Sequence, residues 1–249
     1  DNIEVKEAKK KGIPVITQGE AVGLFMSGKI FNKTFTGISI AGTNGKTTTT
    51  AMIATVLEKN RFDPSYIIGT GWIRSLGLPG HFGKGEYFVA EADEYATDPF
   101  FDKTAKFLWQ SPKIIVVTNI DFDHPDVYKD IEETKQAFKK FFIGLVPTES
   151  GDNQKHSLIV CCDDENLKNV AESMSNKNYK TYGESEKADY QIINCKISEE
   201  ETTFEIKNIG KFKILLFGKH NISNATAVIV QLLELGFKAK DINKSLVGF

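Results

Sequence analysis

Apolar positions along the chain change their spacing several times, and each change marks an element. Asn2 to Gly12 reads as a short helix. Ile13 to Ile16, just after Gly12, reads as a brief strand, and Gly19 to Met26 as a second amphipathic stretch before the polar connection Asn32 to Thr34. These pieces cannot make a domain by themselves, so residues 1–34 are expected to be the closing elements of a preceding domain. From Phe35 the pattern alternates between apolar runs and helical periods. Phe35 to Ala41 is an apolar strand, and the helix after it, from about Thr47 to Asn60, sets Met52, Ile53, Val56 and Leu57 on one face. Tyr87 to Ala90 and Lys113 to Thr118 are nearly continuous apolar runs, as parallel strands covered on both faces are. Ile131 to Phe142 is helical, Ser157 to Cys162 a strand, and Glu165 to Met174 a helix.

After Ala188 the period falls to two. Tyr190 to Cys195, Thr202 to Lys207 and Phe212 to Phe217 read as an antiparallel addition to the main sheet. A helix from about Asn221 to Leu235 closes the pattern, with Gly236 as its stop. The expected fold is therefore α/β: a doubly wound, mostly parallel sheet of the P-loop type with a small antiparallel β addition over residues 35–249.

Composition changes this picture little. A formal net charge of -2 gives no reason to expect nucleic acid as a partner, and no apolar run reaches the length of a membrane span. Asp1 to Lys11 lacks the apolar core of a secretory signal. Cys161 and Cys162 are adjacent in one strand and Cys195 lies in another, a poor disulfide framework. All three read as packing residues in a reducing compartment, and the histidines stand outside zinc-ligand spacing with them. His81 and His156 belong to no motif and read as surface residues.

The sharpest chemical signal is Gly42-Thr43-Asn44-Gly45-Lys46-Thr47-Thr48, between a strand and a helix. Glycines let successive backbone N–H groups converge on phosphate oxygens, and the helix start turns its positive dipole end toward the same anion. Lys46 then supplies charge for β and γ phosphates, and the Thr47 hydroxyl suits magnesium. The general Walker spacing would want glycine where Ile40 stands. A glycine turn before a helix that happens to hold a lysine is the plainer alternative.

Further motifs follow in order. Glu91-Ala92-Asp93-Glu94 ends one apolar run, Asn119-Ile120-Asp121-Phe122-Asp123-His124-Pro125-Asp126 follows another, and Gly218-Lys219-His220-Asn221-Ile222-Ser223-Asn224-Ala225 opens the late helix. In this combination the chain resembles the Mur ligase superfamily, and within it the UDP-N-acetylmuramate ligases, over essentially its whole length. One branch adds L-alanine and the other a ready-made tripeptide. Tyr95, with Phe100-Phe101-Asp102-Lys103 and Lys106-Phe107, is similar to the tripeptide branch, whereas both branches usually carry histidine where Asn44 stands.

The resemblance implies a cytoplasmic, ATP- and Mg2+-dependent enzyme of peptidoglycan precursor synthesis. In it Lys46 contacts the phosphates, Thr47 and Glu91 hold magnesium, and His124 serves a second metal, with Asp123 orienting its ring. Asn221 and Asn224 share a helix face and offer donor and acceptor together to the adenine edge; alternatively, one of them is an N-cap. A lone Glu at a strand end or a histidine in an acidic loop is otherwise a solvated surface feature. Lys139 and Lys140, near the position where some relatives carry a carbamylated lysine, read as solvated charges. The implied chemistry is phosphorylation of the UDP-N-acetylmuramate carboxylate by ATP, then attack of an amine on the acyl phosphate. The resemblance also implies flanking domains outside residues 1–249, so that this piece binds nucleotide without ligating alone. The rival readings are a nucleotide-binding module without ligase chemistry and a folate polyglutamate ligase, which shares the loop but fits Thr47-Thr48-Thr49-Thr50 less well.

Overall fold

The computed structural model describes residues 2–145, 157–175 and 178–249, so His156 lies outside the described residues. The chain opens with α1 (Ile3–Lys10), whose N-cap Asn2 accepts the Glu4 and Val5 N–H groups, and α2 (Gln18–Met26), started by a reciprocal capping box between Thr17 and Glu20. Between them Ile13 to Ile16 is extended but forms no strand, contrary to the sequence expectation. Among the described residues no neighbouring strand offers it a ladder there, and Ile13, Val15 and Ile16 remain exposed.

The α/β alternation follows, with β1 (Thr36–Ala41), α3 (Lys46–Lys59) and, after two short strands the pattern did not predict, β2 (Ser65–Ile67) and β3 (Gly80–His81), the expected β4 (Tyr87–Glu91). A two-stranded hairpin, β5 (Ala96–Asp98) and β6 (Asp102–Ala105), leads through a 3-10 turn, Lys106–Trp109, into β7 (Ile114–Val117). Then come α4 (Ile131–Ile143), β8 (Ser157–Cys161), α5 (Glu165–Glu172), β9 (Tyr179–Gly183), β10 (Tyr190–Ile197), β11 (Thr202–Ile206), β12 (Gly210–Ile214), α6 (Lys219–Glu234) and α7 (Ala239–Leu246).

Ten of these strands form one sheet in the order β12-β11-β10-β9-β8-β7-β1-β4-β2-β3. Pairing is parallel from β10 through β2, while β11, β12 and β3 add antiparallel edges. Successive residues of β4 divide between two cores. Tyr87 and Val89 belong to the main cluster with α3, whereas Phe88 and Ala90 pack with Val22 and Met26 of α2. Because side chains alternate across a strand, α2 covers the sheet face opposite α3. Consecutive burial along β1 and β7 shows the same two-sided cover, with α3, α6 and α7 packed together as one helical group and α4 and α5 as another.

Two expectations in the antiparallel part need correction. The third run begins earlier, at Gly210, because a turn through Asn208 (φ 63°) and Gly210 (φ 141°) pairs Gly210 with Ile206; Leu215 and Phe217 leave the sheet and are exposed. In β10 a register shift between Ile193 and Lys196, with Asn194 left-handed (φ 55°), breaks the strict alternation. Cys195 is consequently exposed, not a packing residue. Cys161 is buried and Cys162 half-buried, and none of the three is in a disulfide.

Candidate functional site

Winding reverses at β1: the chain first builds toward β4 and β2, then returns to the other side through β7 and β8. Ligands of open α/β sheets bind outside the strand carboxyl ends at such a point. The ends of β1, β4 and β7 carry the three early motifs there.

At the end of β1, Gly42 turns with φ 127°, and a Cβ placed on it would collide with the Thr118 hydroxyl at the end of β7. Gly45 is the N-cap of α3 with φ 87°, and a Cβ there would lie 2.5 Å from Asn224 Oδ1. Both positions therefore demand glycine, and Gly42 does the turning that a glycine at Ile40, buried within β1, would otherwise do. The loop is held from β7. Asn119 Oδ1 accepts the Asn44 N–H at 2.9 Å while Asn119 Nδ2 donates to the Asn44 carbonyl at 3.0 Å. The Thr118 hydroxyl donates to that same carbonyl, and the Thr43 hydroxyl accepts the Asp121 N–H at 2.8 Å.

Lys46, first residue of α3, donates to the Gly42 carbonyl at 2.6 Å, the Thr43 carbonyl at 3.2 Å and the Glu94 carboxylate at 2.9 Å. Glu94 is almost fully buried. Burial pushes its carboxyl above the ordinary range, and the Lys46 ammonium offsets only part of this. The Thr47 hydroxyl donates to Glu91 Oε2 at 3.1 Å, and Glu91 Oε1 accepts the Gly69 N–H at 2.6 Å. Glu91 is fixed from behind as well: Gln110, bonded to Ser39, donates to the Glu91 carbonyl at 2.8 Å. Thr47 and Glu91 thus supply adjacent hard oxygen donors, the set that magnesium takes when phosphates complete its shell. The glycine cradle, the helix start and Lys46 suit a polyphosphate.

His124 takes the left-handed conformation (φ 58°), and its ring packs 4.6 Å from that of Tyr95. Its Nε2 lies 3.7 Å from Asp123 Oδ2, and Tyr95 donates to Asp126 at 2.7 Å. Asp123 is therefore beside the ring as expected, but no hydrogen bond joins His124 to Thr47 or Glu91 among the described residues. Nor do the described residues contain a group of three or more His, Cys, Asp or Glu side chains arranged around a metal position.

On the other side of the loop a cavity of about 650 Å³ is lined by Asn44, Gly45, Thr48, His220, Asn221 and Asn224, among others. Asn224 donates to Asn221 Oδ1 at 3.5 Å, so the two amides do face one another. The N-cap of α6 is Gly218, which corrects the alternative that Asn221 or Asn224 caps the helix; the Asn221 amide instead donates to the Phe217 carbonyl. His81 is exposed and paired with Asp63, and Lys139 reaches the Ser173 carbonyl on the outer surface.

Sequence reasoning missed Glu94 as the partner of Lys46 and Asn119 as the clamp on Asn44. Both stand inside the quoted motifs, but a polar residue inside a motif does not announce its partner. It also missed the ion pair of Asp93 and Lys106 at 2.9 Å.

Residues 40–232 match the family model of the Mur ligase middle domain. The UDP-N-acetylmuramate--L-alanine ligase of Caldanaerobacter subterraneus subsp. tengcongensis is 38% identical over 256 residues, which takes in 100% of this chain and 51% of that protein. The ligase of the same name from Syntrophotalea carbinolica is 38% identical over 253 residues, 100% of this chain and 50% of its own. The chain thus spans about half the length of the curated relatives it matches. Among solved structures, the UDP-N-acetylmuramate:L-alanyl-gamma-D-glutamyl-meso-diaminopimelate ligase from Neisseria meningitides superposes with a TM-score of 0.80 at 26% identity, over 98% of this chain and 74% of that one. The UDP-N-acetylmuramate-alanine ligase from Thermotoga maritima does so with a TM-score of 0.77 at 25% identity, over 100% and 52%.

Proposed function

This chain belongs to the Mur ligase family through its middle domain, and on that premise we propose that it is the ATP-binding part of a ligase that joins L-alanine to the carboxylate of UDP-N-acetylmuramate. The observation that carries the reading is the meeting of Lys46 with Glu94 and of Thr47 with Glu91, across the ends of neighbouring strands beside a glycine cradle. Phosphoryl transfer asks a protein for alignment and charge neutralisation more than for a covalent partner, and these residues provide both.

Lys46 exchanges part of its present bonding for the β and γ phosphates. Thr47 and Glu91 would hold the magnesium ion, which when bound supplies positive charge to the phosphate oxygens. The substrate carboxylate takes the γ-phosphoryl group and ADP leaves; the amine then attacks the acyl phosphate, loses its proton and releases phosphate. Asn221 and Asn224 receive the adenine edge in the larger cavity, and His124 serves the side of the loop where the amine enters. Residues 1–34 are the closing elements of a UDP-sugar-binding domain and 35–249 the nucleotide domain. A cytoplasmic place fits the free thiols, and no helix among the described residues is long and apolar enough to cross a membrane.

The full-length gene product should turn ATP over continuously to ADP and phosphate only when UDP-N-acetylmuramate and an amine are both present. ADP formation indifferent to UDP-N-acetylmuramate would remove the reading in favour of a nucleotide-binding module. The tripeptide is the second candidate amine, favoured by Tyr95, whose ring and hydroxyl organise His124 and Asp126. Comparing kcat/KM for L-alanine and for L-alanyl-γ-D-glutamyl-diaminopimelate separates the two.

A further inference from the structure

The phosphate loop stands between two cavities. Gly45 and Thr48 line the larger one with Asn221 and Asn224, while Lys46 lines a second, of about 450 Å³, on its other side. With the base in the first cavity, the reacting end of the triphosphate faces the second. The charged side chains lining that second space are Lys46, Glu91, Asp93 and Lys106. Its far wall is α2, contributing Gln18, Gly19 and Val22.

Among the described residues that line this cavity, Lys106 is the cation that neither phosphate nor magnesium engages in this reading. Lys46 is committed to phosphate and Glu91 to magnesium. A carboxylate brought toward a triphosphate beside Glu91 and Asp93 meets strong like-charge repulsion and needs a positive partner. Lys106 is that partner. Its backbone N–H bonds to the Tyr95 carbonyl at 2.9 Å, and the next N–H, of Phe107, bonds to the Asp93 carbonyl at 3.0 Å. Its ammonium is held by Asp93 at 2.9 Å and lies 5.4 Å from the centre of the Tyr95 ring. Gly19 of α2 lies against the same segment, where a Cβ would stand at ordinary contact distance, 3.5 Å, from the Lys106 Cα.

Resting on the ligase reading above, we propose that Lys106 binds the carboxylate of the acyl substrate, with Asp93 and Tyr95 holding its ammonium at the wall of the second cavity. Asp93 holds the ammonium at the cavity wall, and the arriving carboxylate becomes a further acceptor for an ammonium that has three N–H groups to give.

The test uses the full-length gene product. Reductive methylation read by mass spectrometry should show Lys106 protected by UDP-N-acetylmuramate and unprotected by Mg-ATP alone. Lys106→Met should raise KM for UDP-N-acetylmuramate by roughly ten- to hundredfold, the worth of a hydrogen bond to a charged group, with KM for ATP unchanged. Lys106→Arg should recover part of the loss. Equal labelling of Lys106 with and without UDP-N-acetylmuramate overturns the proposal, and so does a Lys106→Met loss that falls equally on ATP. The footprint needs no substitution, so a variant that fails to fold does not decide the matter. A wild-type protein that turns over no ATP with UDP-N-acetylmuramate and an amine together sinks the ligase reading itself; turnover with an unprotected Lys106 sinks only the role of the lysine.

Discussion

Lys46 has three N–H groups, and two loop carbonyls and Glu94 occupy them, so nucleotide binding is an exchange of partners. Glu94 is the partner that bears the consequence. Its carboxyl is already raised by burial, with Lys46 the first influence holding it down. For an acid raised in the folded state, the folded protein keeps a proton that the unfolded chain releases, so stability is full at low pH and falls as pH rises toward the folded value. Lys46→Ala removes the restraint, so the folded value climbs further and the loss deepens. The variant should match the wild type most closely near about pH 4 and fall behind toward about pH 8, by at most about 3–5 kcal/mol, the cost of stranding a buried charge. Urea midpoints across that range measure it. Parallel curves for the two proteins would mean that Glu94 does not depend on Lys46.

Elements were legible where hydrophobicity alone decides them. The runs that became β1, β4, β7 and β8 are apolar on both faces, and the glycines between β1 and α3 mark a turn that no other residue could make. Ile13 to Ile16 misled because β-branched residues favour extension but cannot supply a partner strand. The hairpin of β5 and β6 escaped because it is short and polar: Thr97, Asp98, Asp102, Lys103 and Thr104 give no period to detect. Helix α7 was readable in hindsight from Ile242 and Leu246 at helical spacing, but lysines and aspartate conceal so narrow a stripe. The site shows the same division. Lys46 and Thr47 were legible as a motif, whereas the clamp from Asn119 depends on β7 lying beside β1, which spacing along the chain does not state. Asn119→Ala should speed amide exchange at Asn44 to Lys46 and weaken Mg-ATP binding by about five- to tenfold, the value of one modest hydrogen bond plus a looser loop. Exchange as slow as in the wild type would show that Thr118 and the Thr43 to Asp121 contact hold the loop unaided.

At the scale of the molecule, the sheet does more than support the loop. By reversing its winding at β1 it sets the loop on a ridge, with α6 walling the larger cavity and α2 the smaller. The two reactants proposed here therefore approach the phosphate chain from opposite sides, and neither has to vacate space for the other. That arrangement has a kinetic signature. ADP carries the base and the first two phosphates, so in the full-length protein it should compete with ATP. It should not compete with UDP-N-acetylmuramate, whose carboxylate enters past α2 and Lys106. Initial-rate inhibition by ADP, with each substrate varied in turn, reads this directly: a slope effect alone against ATP, and a reduced maximal rate against UDP-N-acetylmuramate at subsaturating ATP. Where UDP-N-acetylmuramate binds equally well with and without ATP, competitive inhibition against both would require one shared space, and the loop between Gly45 and Lys46 could not then be what separates nucleotide from acyl substrate.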